Sequence, residues 1–288
     1  MYNQSVPYEI LRVLDAGLIE YAQAWELQEK LAAQIARGEA PPTLLLLEHP
    51  HVYTFGRRGQ AEHLLWDEAE LQRRGIQVFW VDRGGDVTYH GPGQLVGYPL
   101  LPLGTVDAQA RLPQADYVGY VRKLEQVLIR ALDCFGIAAG QVPGLTGVWV
   151  PAEVWSRCPR SRPQDRQRPA KIAAIGVKVD VNGISRHGFA LNVAPQMEYW
   201  QGIVACGLAE YPVVSMADLL PSSPSLDEVK AQVIRAFQEV FEVKSLEMAS
   251  GVPWQLLPHP RGSPANGEPI HEGATGGKPQ TARWEVPG

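Results

Sequence analysis

A glycine-rich stretch, residues 83–94, constrains the fold of this chain more than any other feature. It reads Arg-Gly-Gly-Asp-Val-Thr-Tyr-His-Gly-Pro-Gly-Gln, and it follows an apolar run, residues 76–82, that predicts a β-strand. Four glycines and a proline allow backbone turns that are closed to other residues and let the backbone approach a ligand closely. Polar side chains on such a frame are typical of binding loops. We therefore predict a ligand-binding loop here and not a plain surface hairpin.

Composition and charge exclude several classes of function. The chain has 288 residues and a formal net charge of −5, which argues against nucleic acid as the main partner. It has no apolar run long enough to span a bilayer, and its N-terminus lacks the pattern of a signal peptide. Three cysteines without metal-type spacing indicate free thiols in a reducing compartment. We expect a cytoplasmic protein without a membrane partner.

The sequence also lacks the common motifs for metals and nucleotides. It contains neither HExxH nor CxxC, and neither GxxxxGK[ST] nor the dinucleotide-binding GxGxxG. We therefore expect no metal and no cofactor.

Hydrophobic periodicity predicts a chain that mixes strands and helices. The predicted strands are residues 7–14, 43–47, 76–82, 98–103 and 147–150. The predicted helices are residues 16–37, 67–74, 114–135 and a last one that opens on the capping box at 225–228. The clearest element is a hairpin of residues 171–179 and 184–193, which Asn182-Gly183 should join through a type I′ turn. Residues 48–59 should form a second polar loop after a strand.

Two segments interrupt this pattern. Residues 151–169 carry five arginines and no hydrophobic period, which predicts a mobile basic insertion with Cys158 as an exposed thiol. Cys134, beside the apolar stripe of a predicted helix, should be a core or boundary thiol. Residues 250–288 hold 7 glycines and 7 prolines without a repeat, which is typical of a disordered tail. We predict a single domain, residues 1–249, followed by that tail.

Two residues are candidates for covalent and proton-transfer chemistry. Cys206 precedes a glycine outside any periodic pattern, where backbone N–H groups could hold an oxyanion, although a structural cysteine is an equally good interpretation. Lys171 begins an apolar strand, where desolvation would favour an amine that exchanges protons; a solvated strand-end lysine is the alternative. His90 and His187 could act as bases instead, with Asp86 orienting either of them.

These blocks together resemble the signature of the lipoyl(octanoyl) transferase family. The glycine-rich loop with Tyr98-Pro99 is similar to the first landmark of that family. Three more blocks are similar to its other landmarks, in the right order and at compatible spacing: Lys-Ile-Ala-Ala-Ile-Gly-Val-Lys at 171–178, His-Gly-Phe-Ala-Leu-Asn-Val at 187–193, and Cys206-Gly207. The resemblance covers roughly residues 8–241.

The resemblance implies a fold and a reaction. The fold would be α+β, a mixed, largely antiparallel central sheet flanked by helices, as in biotin and lipoate protein ligase catalytic domains. The enzyme would take an octanoyl group from octanoyl-acyl carrier protein onto Cys206 as a thioester, with Lys171 as its acid–base partner. It would then pass the group to a lysine of lipoyl domains, in the 2-oxoacid dehydrogenases and the glycine cleavage H protein. A monomer is implied as well.

The resemblance also implies a set of substrate contacts. They map onto three blocks: Arg83, Gly84, Gly85, Asp86, Val87, Thr88, Tyr89 and His90; Ala174, Ile175 and Gly176; His187, Gly188 and Phe189. Ala205 departs from the family, in which many members have proline, and the insertion at 151–169 is longer than usual. We hypothesise that the arginines of the insertion dock acidic carrier proteins.

Two rival functions stay open at this point. An ATP-dependent lipoate or biotin ligase on the same fold would activate a free acid as an acyl-adenylate and would not need Cys206. A non-catalytic module would hold an acyl or lipoyl chain without a covalent intermediate. The presence of both Lys171 and Cys206 in matching blocks argues against both rivals. A general cysteine hydrolase is less favoured, because no histidine is clearly paired with Cys206 in the sequence.

Overall fold

Two β-sheets and six α-helices make up the part of the protein that the structure describes. The computed structural model describes residues 8–104, 115–161 and 163–251. In chain order the strands are β1 (Ile10–Leu18), β2 (Thr43–Glu48), β3 (Val52–Phe55), β4 (Gln77–Trp80), β5 (Val87–His90), β6 (Gln94–Leu100), β7 (Gly140–Val142), β8 (Leu145–Val150), β9 (Ala170–Val179), β10 (Ser185–Asn192) and β11 (Ser245–Ser250). The helices are α1 (Tyr21–Ala36), α2 (Glu68–Arg73), α3 (Tyr117–Asp133), α4 (Ala152–Trp155), α5 (Met216–Leu219) and α6 (Leu226–Val240).

The large sheet has the strand order β11-β1-β2-β6-β10-β9-β8-β7. β1 pairs in parallel with both β11 and β2, whereas the other neighbours in this sheet pair antiparallel. A second sheet has the order β4-β3-β5, in which β3 is parallel to β4 and antiparallel to β5. The predicted α+β class, with a mixed and largely antiparallel sheet flanked by helices, is confirmed.

Strand β2 shows how the sequence places helices on both faces of the large sheet. Leu44 and Leu46 pack into a cluster with residues of α3 and α6, whereas Leu45 and Leu47 pack into a cluster with residues of α1. Successive side chains of a strand point to opposite faces, so an unbroken leucine run buries both of them. Full burial of each leucine stabilises the fold by roughly 1.5–3 kcal/mol.

Several predicted boundaries were wrong because distant strands pair with each other. β1 continues to Leu18, inside the predicted helix 16–37, since that end of the strand pairs with Glu48 of β2. The predicted loops 48–59 and 83–94 contain β3 and β5, which pair with each other. β11 was missed, because its residues Ser-Leu-Glu-Met-Ala-Ser become a strand only by pairing with β1.

The predicted hairpin of β9 and β10 is confirmed, but its turn differs from the prediction. Gly183 has a φ of +78°, whereas Asn182 is outside the positive-φ region that both central residues of a type I′ turn require. The Asp180 carboxylate instead accepts hydrogen bonds from the N–H groups of Asn182 (2.8 Å) and Ile184 (3.0 Å). A short polar side chain therefore closes a longer connection.

The arginine-rich segment 151–169 contains packed structure where none was predicted. Trp155 of α4 is 2% exposed, and its indole Nε1 donates a hydrogen bond to the carbonyl of Arg168 (2.7 Å). Cys158 is buried, so the prediction of an exposed thiol was wrong. Cys134 follows α3 and is exposed, so the prediction of a core or boundary thiol was wrong. Two buried residues, Trp155 and Cys158, thus anchor the arginine-rich segment.

Among the described residues, no helix combines the length and apolar character needed to cross a membrane. The predicted tail lies, from residue 252 onward, outside the described residues. The single-domain boundary and the cytoplasmic location stay predictions.

Candidate active site

An open cavity of about 590 Å³ brings the predicted site residues together. Strand β5 of the small sheet and strands β9 and β10 of the large sheet contribute to its wall, together with the loop before β5 and the turn that carries Cys206. Every predicted site residue except Val87 and Tyr89 lines this cavity. One pocket thus collects side chains from four distant blocks of the sequence.

The alternation of β5 explains the two exceptions. Thr88 and His90 face the cavity, whereas Val87 and Tyr89 pack into an aromatic cluster with Tyr53 on the other face of the strand. Side chains alternate along a strand, so a contiguous block of residues cannot all point to one ligand. The resemblance implied substrate contacts for all of residues 83–90, but the alternation of β5 turns Val87 and Tyr89 away from the cavity.

Backbone contacts hold the loop before β5 in place. The N–H of Arg57 donates to the carbonyl of Arg83 (2.9 Å), and that of Arg58 donates to the carbonyl of Gly85 (3.0 Å). A Cβ atom on Gly56 would lie 2.4 Å from the Gly85 oxygen, so this close approach requires glycine at position 56. The N–H of Gly84 donates to Val177 of β9 (3.0 Å), which ties the loop to the large sheet.

Arg83 places a buried positive charge in the cavity wall. The side chain is 7% exposed, and burial lowers its pKa. Its guanidinium donates to the Gly84 carbonyl (2.9 Å) and to the Thr54 hydroxyl (2.9 Å), whereas Nε has no hydrogen-bond partner among the described residues. In the part of the chain that the structure describes, no carboxylate forms an ion pair with Arg83. A buried cation without an anionic partner favours anions in the cavity.

The hydrogen bonds of His90 fix its tautomer. Gln94 donates through Nε2 to the Tyr89 carbonyl (3.0 Å) and to Asn192 Oδ1 (2.9 Å), so its Oε1 must be an acceptor. That oxygen lies 2.8 Å from His90 Nδ1, which is therefore the N–H donor, and Nε2 keeps the lone pair. Burial holds the pKa of His90 well below its usual range, so the ring is neutral at pH 7.

His187 has a different carboxylate partner from the one predicted. Its Nε2 lies 2.9 Å from Asp82 Oδ1, and Asp82 also contacts Lys178 and Arg186. The prediction that Asp86 orients His90 or His187 was wrong, because the two rings bond to Gln94 and Asp82. Lys178 of β9 forms an ion pair with the same Asp82 carboxylate.

The charges around Asp82 explain the protonation states there. Burial opposes ionisation of Asp82, but hydrogen bonds from His187 and Lys178 and the charge of Arg186 hold its pKa well below the usual range. Burial lowers the pKa of His187, although its bond to Asp82 opposes the shift. The backbone of His187 has a φ of +56°, and its N–H donates to Gln28 Oε1 (2.7 Å), which stabilises this left-handed conformation.

Lys171 is buried in the cavity wall, which excludes the solvated strand-end alternative. Its side chain is 6% exposed, and Nζ lies 4.6 Å from the centre of the Trp149 ring on β8. The backbone N–H of Lys171 donates to the Pro212 carbonyl (2.8 Å), and the backbone carbonyl of Lys171 accepts from the N–H of Val214 (3.0 Å). The segment that follows Cys206 therefore pairs with β9. Gly147 of β8 has a φ of +117°, and a Cβ atom there would lie 2.6 Å from the Ala173 carbonyl oxygen, so this close approach of β8 to β9 requires glycine.

Cys206 lies at the tip of a one-turn 3-10 helix, Ala205–Gly207, and is partly exposed. Its φ of +55° is the left-handed conformation that residues with a Cβ rarely adopt, at a cost of roughly 1–3 kcal/mol. Ala205 and Leu208 pack beside Lys171 and Trp149. Such a strained tip is common where a side chain must be presented to a ligand.

A histidine that the sequence did not single out completes the cavity. His63 Nδ1 lies 2.6 Å from Asp86 Oδ2, and both residues line the cavity with Cys206. The loop that carries His63 gives no local signal, because its partner is distant in the sequence and only the fold brings them together. Arg58, Gln60 and Tyr21 line the cavity as well and were also missed.

Comparison with known proteins places the chain among acyl-transferring enzymes. Residues 20–238 match the model of the lipoyl protein ligase A/B catalytic domain. An octanoyltransferase of Solibacter usitatus is 48% identical over 234 residues, which cover 81% of this chain and 94% of that protein. The chain belongs to the octanoyltransferase family. An octanoyltransferase of Chloroflexus aurantiacus, 42% identical over 79% of this chain and 92% of its own length, agrees. Membership of the octanoyltransferase family makes the protein an acyltransferase.

Solved structures of low sequence identity confirm the fold. A bi-partite lipoate protein ligase from Thermoplasma acidophilum aligns with a TM-score of 0.63 at 17% identity, over 85% of this chain and 88% of that one. A lipoate-protein ligase A bound with ATP aligns with a TM-score of 0.58 at 17% identity, over 86% and 91%. The chain thus shares the fold of lipoate ligase catalytic domains, as predicted.

Proposed function

We propose that this protein transfers an octanoyl group from octanoyl-acyl carrier protein to a specific lysine of a lipoyl domain, through a thioester on Cys206. The observation that carries this proposal is that Cys206 and the buried Lys171 line one cavity. Relatives named octanoyltransferases support the identity of the acyl group. The step would begin the attachment of lipoyl groups to proteins.

The first half of the reaction is an exchange between two thioesters. The Cys206 thiolate attacks the octanoyl carbonyl, a C–S bond to Cys206 forms, and the C–S bond to the carrier breaks. Such an exchange is nearly balanced, so the site needs a good nucleophile more than a driving force. The charge of Arg83 in the cavity wall, and that of Lys171 once it has taken the thiol proton, favour the thiolate and the oxyanion that forms during attack.

Lys171 would handle the protons of this exchange. Its amino group takes the thiol proton of Cys206 and returns one to the departing carrier thiolate. Its place on β9, between β8 and the segment at 212–214, holds it at the wall beside the turn that carries Cys206. A rigid strand is a better support for such a group than a loop.

The apolar part of the cavity would accept the acyl chain. Apolar side chains from α3, β8, β9, β10 and the turn after Cys206 line it: Val121, Leu145, Ile175, Val177, Phe189 and Leu208. Burial of each methylene contributes about 0.8 kcal/mol, so chain length matters, although one methylene discriminates only modestly.

The partners implied by this reaction are two kinds of protein. The donor is octanoyl-acyl carrier protein, and the acceptors are the lipoyl domains of 2-oxoacid dehydrogenases and the glycine cleavage H protein. Lipoate ligases of the same fold are named for attaching lipoate to proteins, and one was studied with an E2 lipoyl domain, which supports a lipoyl domain as acceptor. We expect a monomer.

A transfer assay tests the proposal against its rivals. Purified protein is incubated with an apo lipoyl domain and either octanoyl-acyl carrier protein or free octanoate with ATP and Mg²⁺. We expect octanoylation of the lipoyl domain only with the carrier-bound donor, and none when the target lysine is replaced by arginine. Octanoylation from free octanoate and ATP would indicate a ligase. Octanoate binding without transfer from either donor would indicate a binding module.

A further inference from the structure

We propose that His63, oriented by Asp86, is a second acid–base group of this site, and that it serves the half of the reaction in which the acceptor amine attacks. The inference rests on the proposed function, because it assumes an octanoyl thioester on Cys206. Two proton-exchanging groups flank the turn that carries Cys206 on different sides: Lys171 beside Ala205 and Leu208, and His63 beside Gly207.

The hydrogen bond to Asp86 fixes which nitrogen of His63 is available. A carboxylate can only accept hydrogen bonds, so Nδ1, at 2.6 Å from Asp86 Oδ2, carries the proton. Nε2 is then the atom with the free lone pair. Asp86 is itself held, because its Oδ1 accepts from the N–H of Val87 (2.6 Å) and of Gln60 (3.4 Å). The ring therefore has a defined orientation and a defined basic nitrogen.

The segment of His63 and the turn of Cys206 form one structural unit. The carbonyl of His63 accepts from the N–H of Val204 (2.9 Å), and the N–H of Leu65 donates to the carbonyl of Gly202 (2.8 Å). A Cβ atom on Gly207 would lie 2.6 Å from Asp86 Oδ2 and 3.3 Å from His63 Cε1. The His63 ring edge therefore packs on the residue that follows Cys206.

The chemistry of the second half needs a group in this position. The acceptor amine attacks the carbonyl carbon of the Cys206 thioester, a C–N bond forms, and the C–S bond breaks. One proton must leave the nitrogen, and it passes to His63 Nε2, while Cys206 departs as a thiolate. Asp86 stabilises the resulting imidazolium, and the proton is later returned to the Cys206 thiolate. Asp86 is thus a positioning residue.

The position of Lys171 supports the assignment of the two half-reactions to different acid–base groups. Its Nζ lies over the face of Trp149, and an aromatic face attracts an ammonium ion more strongly than a neutral amine. The ring thus stabilises Lys171 in the form that it has in the first half, while it holds the thiol proton opposite the Cys206 thiolate. The amide-forming half requires a group that gains a proton, and the free lone pair of His63 supplies it.

Separate measurement of the two halves tests the proposal. Octanoyl-enzyme is formed from octanoyl-acyl carrier protein and followed by intact-protein mass spectrometry; an apo lipoyl domain is then added. For His63→Asn, whose amide can still bond to Asp86, and for Asp86→Asn, we expect adduct formation within about threefold of wild type. Formation of octanoylated lipoyl domain should slow by about 10²-fold or more, the usual contribution of a general base. Glu62→Gln, an exposed carboxylate beside His63, is the matched control and should leave both halves unchanged.

Chemical rescue distinguishes a proton acceptor from a structural residue. Imidazole added to His63→Ala should restore formation of octanoylated lipoyl domain, and it should leave adduct formation unchanged. Equal slowing of both halves without rescue would mean that His63 only supports the turn, and normal rates would mean that it has no role; either result overturns the inference. If wild type forms no adduct, the proposed function itself fails, which is a separate outcome.

Discussion

Lys171 Nζ lies 4.6 Å from the centre of the Trp149 ring, and the two residues pair on neighbouring strands β9 and β8. The aromatic ring on one side and the turn of Cys206 on another hold the buried lysine in position. The proposed reaction should therefore depend on the ring as well as on the amine.

Replacement of the two residues should separate these contributions. Lys171→Gln should reduce octanoyl transfer by about 10²–10⁴-fold, because it removes the acid–base group. Trp149→Leu should reduce it by about 2- to 30-fold, the range that follows from a cation–π interaction of roughly 0.5–2 kcal/mol. Steady-state transfer rates at saturating substrates measure both effects. Lys244→Gln, a change at an exposed lysine, is the control, and a larger loss for Trp149→Leu than for Lys171→Gln would contradict this account.

Gly207 should tolerate no side chain. Its φ is +68°, and a Cβ atom would lie 2.6 Å from Asp86 Oδ2. The Asp86 carboxylate is held in place, because Oδ1 accepts from the N–H of Val87 and Oδ2 bonds to the ring of His63. We expect Gly207→Ala to displace Asp86 or the Cys206 turn and to lower transfer at least about tenfold, as a misplacement near 1 Å does.

A second glycine provides the matched control for this change. Gly136 has a φ of +73°, but a Cβ atom there would meet nothing within 4 Å. Gly136→Ala should therefore cost only backbone strain, about 1 kcal/mol of unfolding free energy, with transfer unchanged. Equal activity of the two variants would show that the contact with Asp86 is unimportant.

Buried His49 should make the protein less stable at acidic pH. Burial lowers its pKa to about 4, while its Nδ1 donates to the Ile19 carbonyl (2.8 Å) and its Nε2 accepts from the Tyr98 hydroxyl (2.8 Å). Below about pH 6.5 His49 is protonated in the unfolded chain, whereas in the folded protein it becomes protonated only near pH 4. The stability from this group is thus complete above pH 6.5 and falls by about 3 kcal/mol as the pH approaches 4.

Urea unfolding of wild type and His49→Gln between pH 4.5 and 7.5 measures this contribution. The variant should be less stable at pH 7.5, and its unfolding free energy should depend on pH less steeply, by up to about 1.4 kcal/mol per pH unit. His187 titrates in both proteins and cancels in the difference. The difference includes the effect of His49 on His90, because burial and then the neighbouring His49 lower the pKa of His90. Parallel pH profiles would show that His49 does not exclude its proton.

The basic segment 151–169 allows a sharper test of carrier docking. Arg160 forms an ion pair with Asp218, and Arg168 forms one with Glu210, so these charges are already balanced within the protein. Docking of an acidic carrier should depend more on Arg157, which is exposed. Arg157→Glu should raise the apparent KM for octanoyl-acyl carrier protein by up to about fivefold, as expected for a surface charge pair of 0.2–1 kcal/mol.

Salt dependence and a distant arginine control that experiment. The increase in KM should disappear at high ionic strength, because surface charges are screened there. Arg235→Glu on α6, a change at a well-exposed arginine, should leave KM unchanged. An unchanged KM for Arg157→Glu at low salt would remove the docking hypothesis.

The sequence predicted those elements whose structure is encoded by neighbouring residues and is then kept in the pairing of the strands. The hairpin of β9 and β10, the capping box before α6 and the leucine run of β2 all carry their structure in a few neighbouring residues. The strands β3, β5 and β11 were missed, because they are short and depend on partners far away in the chain. These strands are too short for their hydrophobic pattern to predict a strand.

The candidate site divides in the same way. The blocks that hold Arg83, Lys171, His187 and Cys206 were singled out from the residues and then matched by resemblance, and the structure brings them to one cavity. The partners of their side chains were not predictable, because Asp82, Asp86 and Gln94 are equivalent polar residues in a sequence. Only the fold decides that Asp86 bonds to His63 and that Asp82 bonds to His187.

The most direct test of the proposed mechanism is the mass of the intact protein after brief incubation with octanoyl-acyl carrier protein. We expect an octanoyl adduct on the wild type and on Cys134→Ser, which removes an exposed thiol. The adduct should be cleaved by hydroxylamine and should be absent from Cys206→Ser. No adduct on the wild type, together with undiminished transfer to a lipoyl domain by Cys206→Ser, would contradict the thioester route and the assignment of both Cys206 and Lys171.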